Sequence, residues 1–321
     1  MTAPGQESRP RLLQAGPLLP ALEQALAARY AMQRLGDQAD QSAFLAVHGA
    51  DFVGYVTSAV MGLDAARLAQ LPRLRVVSSF GVGLDRIDLA AAAARGVQVG
   101  HTPGVLDDCV ADHAFALLLD TMRRLSAADR FVRRGDWPAG PFGLSRRVSG
   151  ARLGLVGFGR IGQTIARRAS GFDMAVRYHS RRPVEGAAWS HEPSLHALAA
   201  WADVLVVITA GGAATRHLID RAVLDALGPE GFLVNVARGS VVDEAALVEA
   251  LQAGRIAGAG LDVFADEPRV PEALRGLDTV VLTPHVASAT RETRQAMADR
   301  VIDNLEGFFR DGRVRFAASP G

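Results

Sequence analysis

The sequence predicts an α/β protein with doubly wound parallel sheets. Between residues 11 and 100, and again between 152 and 282, short apolar segments of strand composition alternate with helical segments. This alternation is typical of parallel sheets that carry helices on both faces. One repeat, at 153–178, has a glycine-rich turn between its first strand and its helix, which indicates a Rossmann-like nucleotide-binding unit.

The glycine-rich turn follows a predicted strand at 153–156. Its three glycines have the spacing G-x-G-x-x-G: Gly157, Gly159 and Gly162. The first makes a tight turn, the second lets the backbone approach a pyrophosphate, and the third lets the helix pack closely on the strand. N–H groups at the start of the helix at 161–170 would face the anion, and the helix dipole would assist them. The stretch predicts a dinucleotide site.

The end of the next predicted strand, 174–178, indicates which dinucleotide binds. NAD-specific folds place an Asp or Glu about 20 residues further on, where it accepts a hydrogen bond from the ribose. Here the chain reads Tyr178-His179-Ser180-Arg181-Arg182, with no acid. Two guanidinium groups and a hydroxyl suit a 2′-phosphate, so NADP(H) is predicted, with NAD(H) as the alternative cofactor. A solvated basic turn is the other interpretation of the two arginines.

The composition is that of a globular enzyme. The 321 residues are 49% apolar and 21% charged, and they suffice for two domains. The net charge of +1 gives no reason to expect a nucleic-acid or membrane partner. A single cysteine, Cys109, excludes an internal disulfide and is interpreted as a structural thiol in a reducing compartment. Residues 1–9 are expected to be an unstructured polar lead-in without a signal peptide, so a cytoplasmic location is expected.

The predicted elements divide into two Rossmann-like domains. Residues 1–100 form a substrate domain without a phosphate-binding turn of its own, and residues 101–286 form the NADP-binding domain. Residues 287–321 contain a helix that is expected to return to the substrate domain. The cofactor domain is thus predicted to be inserted in a discontinuous substrate domain.

A helix predicted at 107–134 lies near the junction of the two domains. Its first half is apolar nearly all round, so it is expected to be buried at an interface between domains or subunits. Arg123, Arg130 and Arg134 fall on one face of this helix. No aromatic residues accompany them, and they are interpreted as a solvated face and not as a nucleic-acid-binding surface.

Three polar residues follow predicted strands of the second domain: Arg238, Glu267 and His285. The carboxyl ends of parallel strands meet at the ligand-binding edge, so all three are expected near the nicotinamide. His285 can donate the proton that carbonyl reduction needs, while Glu267 would orient the ring and raise its pKa. Arg238 would bind a carboxylate and polarise the carbonyl oxygen. Each has an ordinary structural explanation taken singly, but their shared position favours catalysis.

These same segments resemble a known family. VARGSVVDEAALVEALQAGRIAGAGLDVFADEP, VVLTPHVAS, SSFGVGLDRIDLAAAAARGVQV and LVGFGRIG closely resemble the D-2-hydroxyacid dehydrogenases, and the resemblance spans about residues 45–310. VSSFGVGLD, VRRGDW and YHSRRP are most similar to the NADPH-dependent glyoxylate, hydroxypyruvate and hydroxyphenylpyruvate reductases of that family.

The resemblance implies roles for further residues. Val82 and Gly83 correspond to backbone N–H groups that bind the substrate carboxylate together with Arg238 and His285. Trp137 corresponds to a residue that reaches the partner's active site, in a homodimer built on the helix around Phe115. The implied cofactor contacts are Gly157, Phe158, Gly159, Arg160, Ile161, Gly162, His179, Ser180, Arg181, Arg182, Thr209, Thr215, Val236, Ala237, Arg238, Asp262, His285, Ala287 and Ser288, with Asp262 at the nicotinamide carboxamide.

Two stretches depart from the family pattern. Residues 209–215 read TAGGAAT where relatives carry a Pro-Leu-Thr-Pro-Glu-Thr-like loop, so a looser loop is expected beside the adenosine. Ala287 stands where glycine is common and is expected to crowd the nicotinamide face slightly.

The expected function is NADPH-dependent reduction of a small 2-oxo acid to the D-2-hydroxy acid, in a cleft between the domains. Glyoxylate, hydroxypyruvate, hydroxyphenylpyruvate and keto-sugar acids share the required carboxylate and carbonyl. The alternatives are an NAD-dependent dehydrogenase that works oxidatively and a nucleotide-sensing, corepressor-like interaction protein. No metal is expected, because His191 and His196 lack helical i, i+4 spacing and a third ligand.

Overall fold

The computed structural model of the chain describes residues 9–318, so residues 1–8 of the predicted lead-in lie outside the described residues. The chain divides into two compact units. Among the described residues, the discontinuous unit comprises residues 9–105 and 291–318, and the central unit comprises residues 106–290. These boundaries lie four or five residues beyond the boundaries that the sequence predicts.

The discontinuous unit contains a five-stranded parallel sheet in the order β2-β1-β3-β4-β5. Its strands are β1 (Arg11–Gln14), β2 (Ala31–Arg34), β3 (Gly54–Ser58), β4 (Val76–Phe80) and β5 (Gln98–Gly100). Its first four helices are α1 (Pro20–Arg29), α2 (Gln41–His48), α3 (Ala65–Ala69) and α4 (Leu89–Ala94). Strand β4 is buried along its whole length, as expected for a strand with covered faces.

The central unit contains a seven-stranded parallel sheet in the order β12-β11-β10-β9-β6-β7-β8. Its strands are β6 (Arg152–Val156), β7 (Ala175–His179), β8 (Ser190–His191), β9 (Val204–Val207), β10 (Phe232–Asn235), β11 (Gly258–Leu261) and β12 (Val280–Leu282). Its helices are α5 (Asp107–Arg123), α6 (Leu125–Arg133), α7 (Arg160–Ala169), α8 (Leu195–Trp201), α9 (Arg221–Leu227), α10 (Glu244–Gln252) and α11 (Glu272–Arg275). Helix α12 (Arg291–Asp311) then packs on β4 of the discontinuous unit. The predicted fold class, two α/β domains with parallel sheets, is confirmed.

Short side chains define where many of the helices begin. The residue before each of six helices accepts a hydrogen bond from a backbone N–H in the first turn: Asp40, Asp64, Asp88, Ser194, Asp220 and Asp243. Such caps satisfy N–H groups that have no partner within the helix. These caps therefore help to fix the residue at which each of the six helices begins.

Several predicted elements are corrected by the structure. The strand predicted from Ala50 begins only at Gly54, because residues 49–51 form a turn of 3₁₀ helix. The helix predicted at 107–134 is two helices, since Arg124 has a left-handed conformation with φ of 55°. Arg123 and Arg130 therefore lie on different helices and do not share a face. Arg130 pairs with Asp278 at 2.6 Å.

The apolar residues of α5 are covered by other elements of the central unit. Its buried residues pack against β10, β11 and α7 of the same unit. Phe115 is 5% exposed and stacks on Phe172, with 5.4 Å between ring centroids. The burial of these apolar residues is therefore explained by packing within the central unit. No helix within residues 9–318 combines the length and apolar character needed to cross a membrane.

Candidate active site

The turn between β6 and α7 has the shape that a dinucleotide pyrophosphate requires. Gly157 has φ of 101°, and a Cβ there would lie 2.8 Å from the backbone of Thr209. A Cβ on Gly162 would lie 2.6 Å from the carbonyl oxygen of Gly157. By contrast, apart from Gly159 itself and its two chain neighbours, no atom lies within 4 Å of the position a Cβ would take on Gly159, where the predicted phosphate would approach. The three glycines therefore fit a dinucleotide for the separate reasons that their spacing predicts.

The side chain of Arg160, the first residue of α7, bonds to α5 and does not cover the start of α7. Arg160 donates from Nε to Asp107 at 2.8 Å, and its side chain is therefore held by α5. Backbone N–H groups in the first turn of a helix have no partner within the helix. The N–H groups of Arg160 and Ile161 thus remain the natural donors to an anion at this point.

The carboxyl end of β7 places two arginines where the sequence predicts a 2′-phosphate. Arg181 and Arg182 are exposed, and neither forms an ion pair among residues 9–318. Ser180 donates its hydroxyl to the carbonyl of Arg182 at 2.6 Å, so that proton is committed within the turn. The imidazole of His179 is similarly engaged, because Nδ1 lies 3.0 Å from the carbonyl oxygen of Glu192.

The glycine-rich turn contains a buried aromatic ring that stacks on a ring of β7. Phe158 lies between the first two glycines and is 3% exposed. Its ring lies 3.8 Å from that of Tyr178, at an interplanar angle of 12°. The Tyr178 hydroxyl accepts a hydrogen bond from the N–H of Val184 at 2.9 Å. Phe158 therefore acts through packing, and its side chain is not available to a ligand.

His285 and Glu267 form the central pair of the site. Nδ1 of His285 lies 2.8 Å from Oε2 of Glu267, and the two side chains are 33% and 24% exposed. The other carboxylate oxygen, Oε1, accepts the N–H of Phe264 at 3.1 Å. Because a carboxylate only accepts, the imidazole donates from Nδ1 and presents Nε2 on its far side. Nε2 has no hydrogen-bond partner among the described residues.

The charge of Glu267 is stabilised at this position. Burial of the side chain opposes ionisation and is the largest single effect. The hydrogen bond and the charge of His285, the hydrogen bond from the N–H of Phe264 and the charge of Arg238 together outweigh burial, so the pKa of Glu267 lies below its ordinary value. Glu267 is therefore an anion at neutral pH, as a partner of an imidazole N–H must be.

Arg238 follows β10 and is half-buried. One guanidinium nitrogen donates to the carbonyl of Ala237 at 2.7 Å. The side-chain amide of Asn235 donates to the carbonyl of Arg238 at 3.1 Å and holds the backbone there. The two residues that precede Arg238, Val236 and Ala237, are buried beneath it.

Asp262 is the most deeply embedded charge of the site, with its side chain 1% exposed. Oδ1 accepts hydrogen bonds from the Thr283 hydroxyl at 2.7 Å and from the N–H of Val286 at 2.8 Å. Oδ2 accepts the N–H of Ala287 at 2.9 Å. The backbone carbonyl of Asp262 also accepts the N–H of His285 at 2.8 Å. Asp262 therefore holds the loop on both sides of His285.

This anchoring explains an unusual backbone conformation. His285 has φ of 54°, a region that residues other than glycine rarely adopt. Strained positions of this kind persist only where the surroundings determine them. Here the bonds from residues 283, 286 and 287 to Asp262 do so. The predicted role of Asp262 at the carboxamide depends on Oδ2, which accepts a single hydrogen bond from the described residues.

His113 is a contributor that the sequence did not single out. It lies on α5, and its Nε2 is 3.0 Å from the Thr283 hydroxyl and 3.3 Å from Oδ1 of Asp262. Since the hydroxyl donates to the carboxylate, its oxygen accepts from Nε2–H of His113. The sequence signal that could have identified it is a polar residue among the buried apolar residues of α5, such as Ala114 and Leu117.

The remaining predicted residues lie at strand ends or in loops. Thr215 donates to the carbonyl of Ala210 at 2.7 Å, which closes the 209–215 loop on itself. Ala287 is buried, and its carbonyl lies 3.1 Å from the thiol of Cys109. In the discontinuous unit, Val82 and Gly83 follow β4 and are half-buried. Trp137 is 65% exposed in the central unit.

Comparison with known proteins places this geometry in context. Residues 115–287 match the family model of the D-isomer specific 2-hydroxyacid dehydrogenase, NAD binding domain. The chain is 46% identical to hydroxyphenylpyruvate reductase from Plectranthus scutellarioides, over 91% of this chain and 94% of the relative. It is 48% identical to 2-ketogluconate reductase from Gluconobacter oxydans, over 80% of this chain and 83% of that protein.

A solved structure is similar over nearly the whole length. It is the NADPH-dependent glyoxylate/hydroxypyruvate reductase from Sinorhizobium meliloti in complex with NADP and malonate. The two structures superpose with a TM-score of 0.91 at 45% identity, and the alignment covers 97% of each chain.

The Asp262 network predicts how stability depends on pH. Burial, the largest effect, disfavours the Asp262 anion, but the hydrogen bonds that it accepts outweigh burial, so its pKa lies below the ordinary 3.8. A lowered folded-state pKa means that the stabilisation is present above about pH 3.8 and is lost as the pH falls through the folded-state pKa. We expect Asp262→Asn to lower the free energy of unfolding at pH 7 by about 1–3 kcal/mol. The asparagine side chain replaces one acceptor oxygen with an NH₂ group, which is itself a donor and would face the N–H and O–H donors around it.

Urea unfolding at several pH values measures this effect. The difference between wild type and Asp262→Asn should shrink as the pH falls below 3.8. Asp299→Asn, at an exposed position of α12, serves as the control and should leave the profile unchanged. A wild-type–variant difference that stays constant down to acid pH would contradict the assignment.

Proposed function

The chain belongs to the D-isomer specific 2-hydroxyacid dehydrogenase family, as its motifs predict, and on that premise we propose that it reduces a small 2-oxo acid with NADPH. The proposed product is the D-2-hydroxy acid, and the substrate is of the glyoxylate, hydroxypyruvate or hydroxyphenylpyruvate type. The observation that carries the proposal is the His285–Glu267 pair, with Nε2 of the imidazole left available. The names of the similar reductases support the choice of substrate class.

In this proposal His285 holds the proton that the substrate oxygen takes up. Glu267 accepts from Nδ1 and fixes the ring, so Nε2–H of the protonated ring is the donor. Asp262 and the loop from 283 to 287 hold the histidine in place while the proton moves. Bound NADPH supplies the hydride. Gly157, Gly159, Gly162 and the start of α7 would hold its pyrophosphate.

Arg238 is the proposed electrostatic partner of the substrate in the central unit. A guanidinium stabilises a carboxylate and the negative charge that develops on a carbonyl oxygen. Its backbone is held by Asn235 and its charge acts on Glu267, which places it beside the catalytic pair. In the discontinuous unit, the N–H groups of Val82 and Gly83 are the proposed donors to the substrate carboxylate.

The proposed preference for NADPH rests on the end of β7. Arg181 and Arg182 have no ion pair among the described residues, whereas many other arginines of the chain are paired with carboxylates. No acid occupies residues 178–182 to accept from an unmodified ribose. The similar reductase from Sinorhizobium meliloti is described in complex with NADP.

We further propose that the protein forms a homodimer through α6 and the segment that follows it. Four large apolar side chains between residues 125 and 144 are at least half exposed: Leu125, Val132, Trp137 and Leu144. Leu144 is 98% exposed. Apolar surface concentrated in one segment is typical of a protein–protein contact. Trp137 would be the residue of this surface that reaches the partner's site.

Substitution of His285 tests the reaction. A panel of 2-oxo acids, including glyoxylate, hydroxypyruvate and 4-hydroxyphenylpyruvate, is assayed with NADPH by loss of absorbance at the nicotinamide band. We expect His285→Ala to lower kcat by about 10²–10⁴-fold, because the proton donor is removed. His196→Ala, at an exposed position of α8, is the matched control. Undiminished turnover in His285→Ala would exclude the assigned proton donor.

Substitution of Arg181 tests the cofactor. Loss of a charge-assisted hydrogen bond to the 2′-phosphate should raise the KM for NADPH about tenfold or more in Arg181→Ala, and leave the KM for NADH within about twofold. Arg73→Ala, an exposed arginine elsewhere, should change neither value. Parallel initial-rate measurements with both cofactors decide the point. An unchanged ratio of the two KM values would mean that Arg181 is solvated surface.

Substitution of Leu144 tests the assembly. A carboxylate in an apolar contact is expected to abolish the dimer at micromolar concentration, so Leu144→Asp should sediment as a monomer. Val47→Asp, which is 74% exposed on α2, should sediment like the wild type. Sedimentation velocity measures both, and a monomeric wild type would refute the proposed dimer.

A further inference from the structure

Two successive peptide groups after β4 accept hydrogen bonds from the same neighbouring segment, residues 101–102. The carbonyl of Gly81 accepts a hydrogen bond from the backbone N–H of Thr102 at 3.0 Å. The carbonyl of Val82 lies 3.2 Å from Nδ1 of His101. His101 and Thr102 follow β5, which pairs in parallel with β4. Hydrogen bonds to the carbonyl groups of the loop after β4 therefore hold this loop to the segment after β5.

These two hydrogen bonds also fix the direction of two backbone N–H groups. Both peptide groups are trans, so each N–H points away from the carbonyl of the same group. The N–H of Val82 shares its peptide group with the carbonyl of Gly81, and the N–H of Gly83 shares its group with the carbonyl of Val82. Among residues 9–318 neither N–H has a hydrogen-bond partner. Both are therefore donors directed away from the 101–102 segment.

The backbone that carries His101 is itself firmly held. Its N–H donates to the carbonyl of Phe316 at 3.1 Å, and its carbonyl accepts from Nδ2 of Asn304 at 3.0 Å. Asn304, on α12, is fully buried, and its Oδ1 accepts the N–H of Phe316 at 2.8 Å. The position from which the imidazole reaches Val82 is thus set by the helix that returns to this unit.

The protonation of the ring agrees with this geometry. Burial lowers the pKa of His101 below the ordinary 6.5, and the hydrogen bond to Val82 only partly opposes this effect. The imidazole is therefore neutral at pH 7 and carries one N–H. Because a carbonyl oxygen can only accept, that proton is on Nδ1.

We propose that His101 is a positioning residue for substrate binding, whose Nδ1–H holds the Val82–Gly83 peptide group so that the N–H of Gly83 faces the substrate carboxylate. The inference rests on the proposed function and deepens it, since it names the side chain that orients a carboxylate donor. Thr102 orients the preceding donor through its backbone, which leaves His101 as the part of this arrangement that depends on side-chain identity.

Two substitutions of nearly the same shape separate the donor from the bulk of the ring. Asparagine carries Nδ2–H the same number of bonds from Cα as Nδ1 of histidine, whereas leucine has no donor. In His101→Leu we expect the KM for glyoxylate and hydroxypyruvate, and the Kd of malonate measured calorimetrically with NADP⁺ present, to rise about tenfold. The kcat should change by less than about twofold, because the carboxylate is bound alike in the ground and transition states.

In His101→Asn both constants should return to within about threefold of wild type. A purely structural role would instead lower thermal stability and kcat, without distinguishing asparagine from leucine. Wild-type values in His101→Leu, or equal losses in both variants, would overturn the proposal. If His101→Leu fails to fold, His101→Ala also lacks a donor and replaces it.

Failure of the proposed function would be recognised separately. A wild-type protein that binds malonate but reduces no 2-oxo acid would overturn the proposed reaction, and the malonate Kd of the two variants would still decide the role of His101. A wild-type protein that neither reduces a 2-oxo acid nor binds malonate would overturn both proposals.

Discussion

The candidate active site depends on one buried carboxylate, that of Asp262. An anion removed from water is tolerated only when donors surround it. Here the donors come from the Thr283 hydroxyl and from the N–H groups of Val286 and Ala287, on either side of His285. The need to satisfy one charge therefore determines the path of the loop that carries the imidazole.

That constraint also accounts for the strain at His285. A left-handed conformation costs a residue with a Cβ on the order of 1 kcal/mol, which a single loop hydrogen bond would barely offset. Three hydrogen bonds to the Asp262 side chain and one to its carbonyl more than compensate. The imidazole then reaches Glu267 from a backbone that has little freedom to move. His113 extends the network to α5, so this helix supports the loop that carries His285.

The sequence allowed the interior of the molecule to be predicted better than its edges. Strands that are buried along their length, such as β9 and β10, have runs of apolar residues that mark them. Strand β2 lies at the edge of its sheet with no buried residue, and β8 is two residues long, so neither has a hydrophobic pattern to recognise. The break at Arg124 also has no local signal. Asp120 accepts hydrogen bonds from both the N–H and the hydroxyl of Ser126, and this contact across the break ends one helix and starts the next.

The same distinction applies to the site. Arg238, Glu267 and His285 were predictable because residues after parallel strands meet at one edge of a sheet. Asp262 and His113 act through other residues, and which donors they satisfy depends on how α5 lies against the loop at 283–287. Such contacts arise only when the elements pack together, and spacing along the chain does not reveal them.

The arrangement at Val82 and Gly83 has a consequence for how the family of reactions can diversify. In the proposed function, part of the recognition of the acid group falls to the main-chain amides of Val82 and Gly83, and a substitution at either residue changes its side chain but leaves its amide in place. That part of the contact with the common head group would not depend on the side chains that surround the rest of the substrate. A protein with this arrangement could acquire a new substrate by substitution of neighbouring side chains, while the main-chain contacts to the acid group remain.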